Sequence, residues 1–474
     1  MNAALKIDQL NVDQILERVK AMALQYFDQQ DTLSPGKFIP DISMEILPEH
    51  GMGAHAALDY FSVHYAGKIT NSAGPRYFGF VTGGSTPAAV AGDWLVSAYD
   101  QNACGSNDSI APQLEKQTIH FFHQLFGLDQ EFFGSFVTGA TIANMVGLAI
   151  GRQWIGEQHH IDISNEGLTH CPPIKIISAS PHSSVLKSLS MLGLGRKSVI
   201  TIPTLPDREA IDILELENYL RTNPEPCIVV ANAGTVNTVD FDDLEAIGKL
   251  KSLYPFWLHV DAAFGGFAAC SEKYKHHLLG INDADSITID AHKWLNVPYD
   301  AAMQFTRHPK LQLKVFQNSA AYLGDPAQRP DFFHYTPENS RRFRALPSWF
   351  TLMAYGKEGY CEMVERNCCA ANYFGECIEQ SEHFILLAPV RMNVVCFTLN
   401  QENITFDFIQ QFLNAVRDDG RVFFTSTLYK GTPAIRAAIS NWQTKQEDLE
   451  LAFEVLTSVL KKLTDVNQAT TNLA

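Results

Sequence analysis

The sequence predicts an α/β protein with a mainly parallel sheet and a smaller C-terminal α+β domain, and three observations carry that prediction. Between about residues 88 and 310, short apolar runs are each followed by a polar turn and a stretch of helical spacing. The runs FGSFVTG, IKIISAS, CIVVANAG, FWLHVDAA and SITIDAH have the length and near-continuous apolarity of strands covered on both faces. Beyond about residue 345 helical spacing returns, and HFILLAPV, MNVVCFTLN and RVFFTSTLY then read as strands of a second, smaller sheet.

The elements follow in order. Ile15, Val19, Met22 and Tyr26 stand at helical spacing behind Asn11, a candidate cap with Gln14 three residues on. Residues 33–87, punctuated by PGKFIP, LPEHG and SAGPRYF, read as an extended segment draped over something larger, with reach enough to touch another subunit. The chain closes on a helix that opens at Thr444 and Glu447 and carries Leu449, Phe453, Leu456, Leu460 and Leu463 on one face. These boundaries divide the chain into a helical and extended segment (1–87), a large domain (88–345) and a small domain (346–474).

Composition narrows the function classes. Of 474 residues 46% are hydrophobic, ample for a sizeable core, and the net charge of −16 argues against nucleic acid or an anionic membrane as an indiscriminate partner. Nine scattered cysteines with no CxxC pair, and no apolar run of membrane-spanning length, give the expectation of a reduced, cytoplasmic protein.

In a parallel sheet, ligands collect beyond the carboxyl ends of the strands, so the residues just after each run carry the functional reading. FGSFVTG leads into ATIANM, where Gly139 permits a tight turn and Thr141 reads as a helix cap, together an anion cradle. IKIISAS ends at His182, which suits stacking on a flat ligand or proton transfer and equally suits a capping role. CIVVANAG delivers the Thr235 hydroxyl to the same level, by itself ordinary turn chemistry. FWLHVDAA brings up Asp261, a carboxylate that needs a partner if it is buried. His259 nearby suggests a metal pair, but no third ligand is evident, so no metal is expected. SITID leads to Lys293 in mixed apolar company, a costly place for an ammonium unless it snorkels to water or condenses with an aldehyde. Singly each position has a structural explanation. Jointly they supply a phosphate cradle, a ring-stacking group, a carboxylate for a pyridine nitrogen and an imine-forming lysine, the set that pyridoxal 5'-phosphate requires.

The motifs DAHKWLNVP around Lys293, HVDAAFGG around Asp261, ASPHSS around His182, GSTPAAVAGD at 84–93 and RRFRALPSW at 341–349 resemble the pyridoxal-phosphate-dependent decarboxylases of aromatic amino acids, histidine and glutamate. The resemblance runs from about Tyr77 to Thr444. It implies an aspartate-aminotransferase-like fold with a seven-stranded sheet and a homodimer with shared active sites. It also implies that Lys293 holds the cofactor as an imine, Asp261 pairs with the pyridine nitrogen and His182 stacks on the ring. Ala263 lies against the other ring face, Ala140, Thr141 and His292 surround the phosphate, Thr235 lies near the ring, and Phe80 and Thr82 help to form the substrate pocket.

The resemblance further places the proton donor on a loop at about 320–340, a tyrosine in many relatives. Counting back from Arg341 without gaps puts Phe332 at that place, with Tyr335 three residues on and His334 beside it. Tyr335 is the catalytic candidate and Phe332 a substrate-binding one. Phenylalanine there is similar to the branch of the family that makes aromatic aldehydes. Asp290 and Ala354 also depart from the family pattern, standing where relatives carry asparagine and serine. The expected activity is decarboxylation of an L-amino acid, aromatic by preference, to the amine. An aromatic aldehyde synthase and a non-catalytic homologue are the alternatives.

Overall fold

The computed structural model describes residues 1–105, 109–318, 326 and 331–471, and divides into two compact units. One comprises residues 81–398 and 438–442, the other residues 1–80, 399–437 and 443–474.

The larger unit is built on seven strands: β1 (Phe133–Val137), β2 (Ile176–Ser178), β3 (Val199–Thr201), β4 (Cys227–Asn232), β5 (Phe256–Asp261), β6 (Ser286–Ile289) and β7 (Ala302–Thr306). They lie in the order β1-β7-β6-β5-β4-β2-β3. Only β7 runs against its neighbours, and the register of the parallel strands sets Asn232 beside Asp261 and Asp261 beside Thr288. The carboxyl ends of β4, β5 and β6 therefore share one edge. Every residue of β4 and β5 is buried, because helices cover both faces of the sheet.

Strand alternation sorts the core into two layers. Ile228, Val230 and Trp257 pack with Val146, Ile150, Val185 and Leu189 on one face, while Val229, Leu258 and Val260 pack with Ile119, Phe122 and Phe267 on the other. The helix Ala140–Gln158 covers the first face. There a Cβ on Gly147 would stand 2.6 Å from Nδ1 of His259, so only glycine lets that helix come so close to β5. The unit continues through the helix Ala345–Glu379 and the strands Phe384–Leu386 and Val394–Leu399.

The other unit contains the helices Ala3–Leu10, Val12–Asp28 and Ala54–His64, the antiparallel pair Thr425–Tyr429 and Thr432–Ala438 as far as residue 437, and the helices Phe406–Asp419 and Gln446–Thr471. Segment 33–87 is less extended than its composition suggested, since the AHAALDYFSVH stretch is helical. Asn11 stands at the expected N-cap, but its side chain donates back to the Ile7 carbonyl rather than capping. Thr444 likewise gives its hydroxyl to the Pro75 carbonyl, and Asp448 accepts from the Lys445 amide in its place. Among the described residues no helix is long and apolar enough to cross a membrane.

Candidate active site

Five of the strand-end positions singled out in the sequence converge on the shared edge of the large sheet. At the end of β1 the helix Ala140–Gln158 begins with Gly139 as its N-cap and no side-chain cap. Thr141, expected as the cap, sits one residue inside the helix. The amides of Ile142 and Ala143 bond back to the Gly139 carbonyl, whereas those of Ala140 and Thr141 belong to the first turn and have no partner within the helix. A Cβ on Gly139 would stand 3.3 Å from His292, so the glycine keeps the space between helix end and imidazole clear. Two open amides at a helix N-terminus beside a histidine suit a phosphate.

Asp261, the last residue of β5, is 5% exposed. Its Oδ2 accepts from the Asn144 amide at 2.9 Å and its Oδ1 from the Ala263 backbone N–H at 3.2 Å. Each oxygen keeps a lone pair, enough to accept from a pyridinium N–H. His182 is the N-cap of the helix Ser183–Met191. Its Nδ1 receives the Ser184 backbone N–H at 3.2 Å and lies 2.7 Å from the Ser184 hydroxyl. The capping reading of this histidine holds, and the capping bonds fix its ring beyond the end of β2.

Lys293 lies on the short helix Ala291–Trp294 after β6, its side chain 19% exposed. Its Nζ stands 3.2 Å from Oδ2 of the buried Asp290 and 5.7 Å from the Phe264 ring centre. His292 Nε2 lies 3.3 Å from Oδ1 of the same carboxylate, and burial holds its imidazole below the usual histidine range. Asp290 thus has one charged partner, the Lys293 amine. Thr235 is buried, but its hydroxyl donates to Glu209 at 2.5 Å and accepts from the Asp240 N–H at 2.9 Å, so it serves the turn after β4.

The substrate candidates separate. Thr82 is buried, with its hydroxyl 3.4 Å from that of Tyr299, whose ring packs 4.4 Å from His292. Phe80 belongs to the other unit, where it is exposed with a positive φ of 56°. Of the loop 320–340, residues 320–325 and 327–330 lie outside the described residues. Phe332, His334 and Tyr335 are buried, and Tyr335 packs its ring 4.4 Å from that of Phe133, the first residue of β1. Four residues of strand, roughly 13 Å, separate Phe133 from the mouth at Val137, so within one chain Tyr335 sits at the opposite edge of the sheet.

Sequence reasoning missed Asn144, Ser184, Ser286 and Tyr299. A signal for Asn144 was present: it lies one helical turn after Ala140, on the face that meets β5.

The pattern of the pyridoxal-dependent decarboxylase conserved domain matches residues 60–400 of this chain. The chain belongs to the pyridoxal-dependent decarboxylase family. Its cofactor is pyridoxal 5'-phosphate, and the residues just described fit that group at the phosphate, pyridine and aldehyde positions. Membership makes the chain a pyridoxal-phosphate-dependent carboxy-lyase acting on an amino acid. Tyrosine decarboxylase 3 of Petroselinum crispum is 26% identical over 463 residues, covering 91% of this chain and 87% of that protein. Aromatic-L-amino-acid decarboxylase of Drosophila lebanonensis is 29% identical over 397 residues, covering 79% and 95%. Among solved structures, Oryza sativa TDC with PLP and tryptamine superposes with a TM-score of 0.87 at 19% identity, covering 98% of this chain and 99% of that one. Rhodiola rosea 4-hydroxyphenylacetaldehyde synthase does so with a TM-score of 0.84 at 19% identity, covering 96% and 99%. These decarboxylase-family likenesses agree with the seven-stranded sheet and the aspartate-aminotransferase-like fold expected from the sequence.

Proposed function

We propose that the chain decarboxylates an aromatic L-amino acid to the corresponding amine, as a cytoplasmic homodimer. One observation carries the reading: a buried carboxylate and a lysine amine, Asp261 and Lys293, stand at adjacent strand ends of one mouth. When bound, pyridoxal phosphate supplies an aldehyde that condenses with amines and a cationic ring that withdraws electrons from the α-carbon. In this reading the open amides of Ala140 and Thr141, with His292, hold the phosphate. Asp261 keeps the proton on the pyridine nitrogen, while His182 and Ala263 sandwich the ring. Lys293 would be the amine that holds the cofactor's aldehyde. Asp290, 3.2 Å from that amine, holds it in place as a counter-ion.

Aromatic side chains are favoured by the names of the relatives and by the aromatic wall that Tyr299 adds beside Thr82. A homodimer is supported by the N-terminal unit, where Leu10, Met44, Ile46 and Leu47 stand exposed without being charged or polar. It also gives the loop a task, since Tyr335, remote from the mouth of its own chain, would serve only a neighbouring one. We place residues 1–87 at that partner contact, ahead of the large domain 88–345 and the small domain 346–474.

A second reading follows from Phe332. With phenylalanine in place of the loop tyrosine, the chain would consume oxygen and release an aromatic aldehyde, ammonia and peroxide along with carbon dioxide. Incubating the purified protein with each of the twenty amino acids separates the two. Amine and carbon dioxide without peroxide support the decarboxylase, and stoichiometric peroxide and ammonia support the synthase. No carbon dioxide from any of them, with cofactor bound, refutes both.

A further inference from the structure

We propose that Asn144, held in one orientation by His259, is a positioning residue that aims the Asp261 carboxylate at the cofactor. The proposal deepens the decarboxylase reading and rests on it.

The argument starts from the chemistry of a carboxylate, which only accepts. The side of Asn144 that faces Asp261 Oδ2 at 2.9 Å must therefore be its NH2 group, whose second proton goes to Ser184 Oγ at 3.0 Å. Asn144 Oδ1 then faces His259 Nε2 at 2.9 Å and requires a proton there. In a neutral imidazole this leaves Nδ1 as acceptor, and the Ser286 hydroxyl, 2.8 Å away, supplies the bond. Ser286 Oγ is free to donate because its acceptor side takes the Trp257 indole N–H at 2.9 Å. Burial pushes the His259 imidazole down to about 4, against a smaller opposing pull from Asp261, so the ring is neutral at any physiological pH.

The same chain of logic runs the other way. His182 Nδ1 accepts the Ser184 backbone N–H at 3.2 Å, so it also takes the Ser184 hydroxyl proton at 2.7 Å, and Ser184 Oγ in turn accepts from Asn144. A neutral His182 therefore carries its proton on Nε2. Trp257, His259, Ser286 and Asn144 are fully buried, and turning any one bond around sets acceptor against acceptor or donor against donor in a dry core. Gly147 is the second sign of a built arrangement. A side chain there would collide with His259 at 2.6 Å and crowd Ser286 Oγ at 3.0 Å, so the helix leaves room for this imidazole and its partner.

The test uses the cofactor-loaded enzyme. His259→Phe removes the donor to Asn144 Oδ1 and lets the amide turn its oxygen toward Asp261. The absorbance of the bound cofactor should then titrate with a midpoint displaced by about one pH unit. The cofactor Kd should rise on the order of tenfold, and kcat should fall further than KM rises. His259→Gln, which keeps an N–H donor, should recover part of each loss. Ser184→Ala should leave the absorbance midpoint in place while shifting the 15N resonances of His182. Should the phenyl ring prevent folding, Asn144→Ala must reproduce the displaced midpoint. An unmoved midpoint in a folded, loaded His259→Phe or Asn144→Ala enzyme overturns the proposal, as does an equal displacement in Ser184→Ala. Failure of the wild-type protein to bind cofactor or release carbon dioxide refutes the decarboxylase reading instead.

Discussion

Around Asp261, side chains from β5, β6 and two helices close a hydrogen-bonded set in which each donor meets an acceptor. Around Lys293, by contrast, Asp290 faces an amine and an imidazole at 3.2 and 3.3 Å, while its Oδ1 and the neighbouring Thr288 hydroxyl lie buried with no hydrogen-bond partner. A buried carboxylate oxygen without a hydrogen bond costs stability, so folded proteins keep one chiefly where a ligand or a chemical step uses it. The Asp261 end is thus assembled by folding alone, and the Lys293 end keeps open valences among the described residues. Preorganisation where charge must be stabilised, and slack where a ligand must be received, is the division of labour that the proposed roles of Asp261 and Lys293 call for.

Experiments can strain this contrast from both sides. The largest effect belongs to Lys293→Ala, which should lower kcat by on the order of 10^4-fold or more while leaving the Asp261 network intact, as read by carbon dioxide release and by an unchanged melting curve. Asp261→Asn comes next. It should cost about 100- to 1,000-fold in kcat, because the amide cannot hold the pyridine proton. Cofactor absorbance at neutral pH would show the loss directly.

Third stands Arg341→Ala, remote from both ends. Arg341 and Glu115 form an ion pair at 2.7 Å with both side chains 1% exposed, and the guanidinium also donates to the carbonyls of Ala103 and Phe136. Removing one partner strands a buried charge, so unfolding free energy should fall by about 3–5 kcal/mol. A denaturant titration would show it, and an unchanged midpoint would mean that the pair is not buried in solution.

Acid should act on the preassembled end first. The folded pKa of His259 lies below its unfolded value, so the unfolded state binds more protons between about 4 and about 6.5. The stability tied to this histidine is complete above that window and is lost as pH falls through it, and His259→Phe should flatten the dependence. His277, also held near 4 by burial, contributes a background of the same sign that the variant retains. The smallest effect is expected from Asp290→Asn. Released from the carboxylate 3.2 Å away, the half-buried Lys293 amine should form an imine with added cofactor faster, by about tenfold or less in stopped-flow absorbance. A slower reaction would show that Asp290 activates the lysine rather than restrains it.

Much of this site was legible because strand ends are local features. An apolar run followed by a polar turn announces where a parallel strand stops, and Asp261, His182 and Lys293 each stand within a few residues of such a stop. His259 stood out in the sequence only as half of an incomplete metal pair. Two residues before Asp261, it shares that residue's face of β5, and what lies between them is an asparagine amide. The cap at the first sheet helix was misplaced by two residues, because Gly139 in extended conformation begins the helix earlier than the threonine suggested.

By itself the sequence determined the α/β class, the positions of the strands and the chemical types gathered at their ends, since periodicity and turn chemistry act over a few residues. The tertiary structure alone decided which groups meet. Asn144 and Asp261 are 117 residues apart, and their bond exists only because one helix lies across one strand. The same holds for the burial of Tyr335 at the far edge of the sheet. Hydrogen-bond direction is set by the whole surrounding network, and no stretch of chain contains that network.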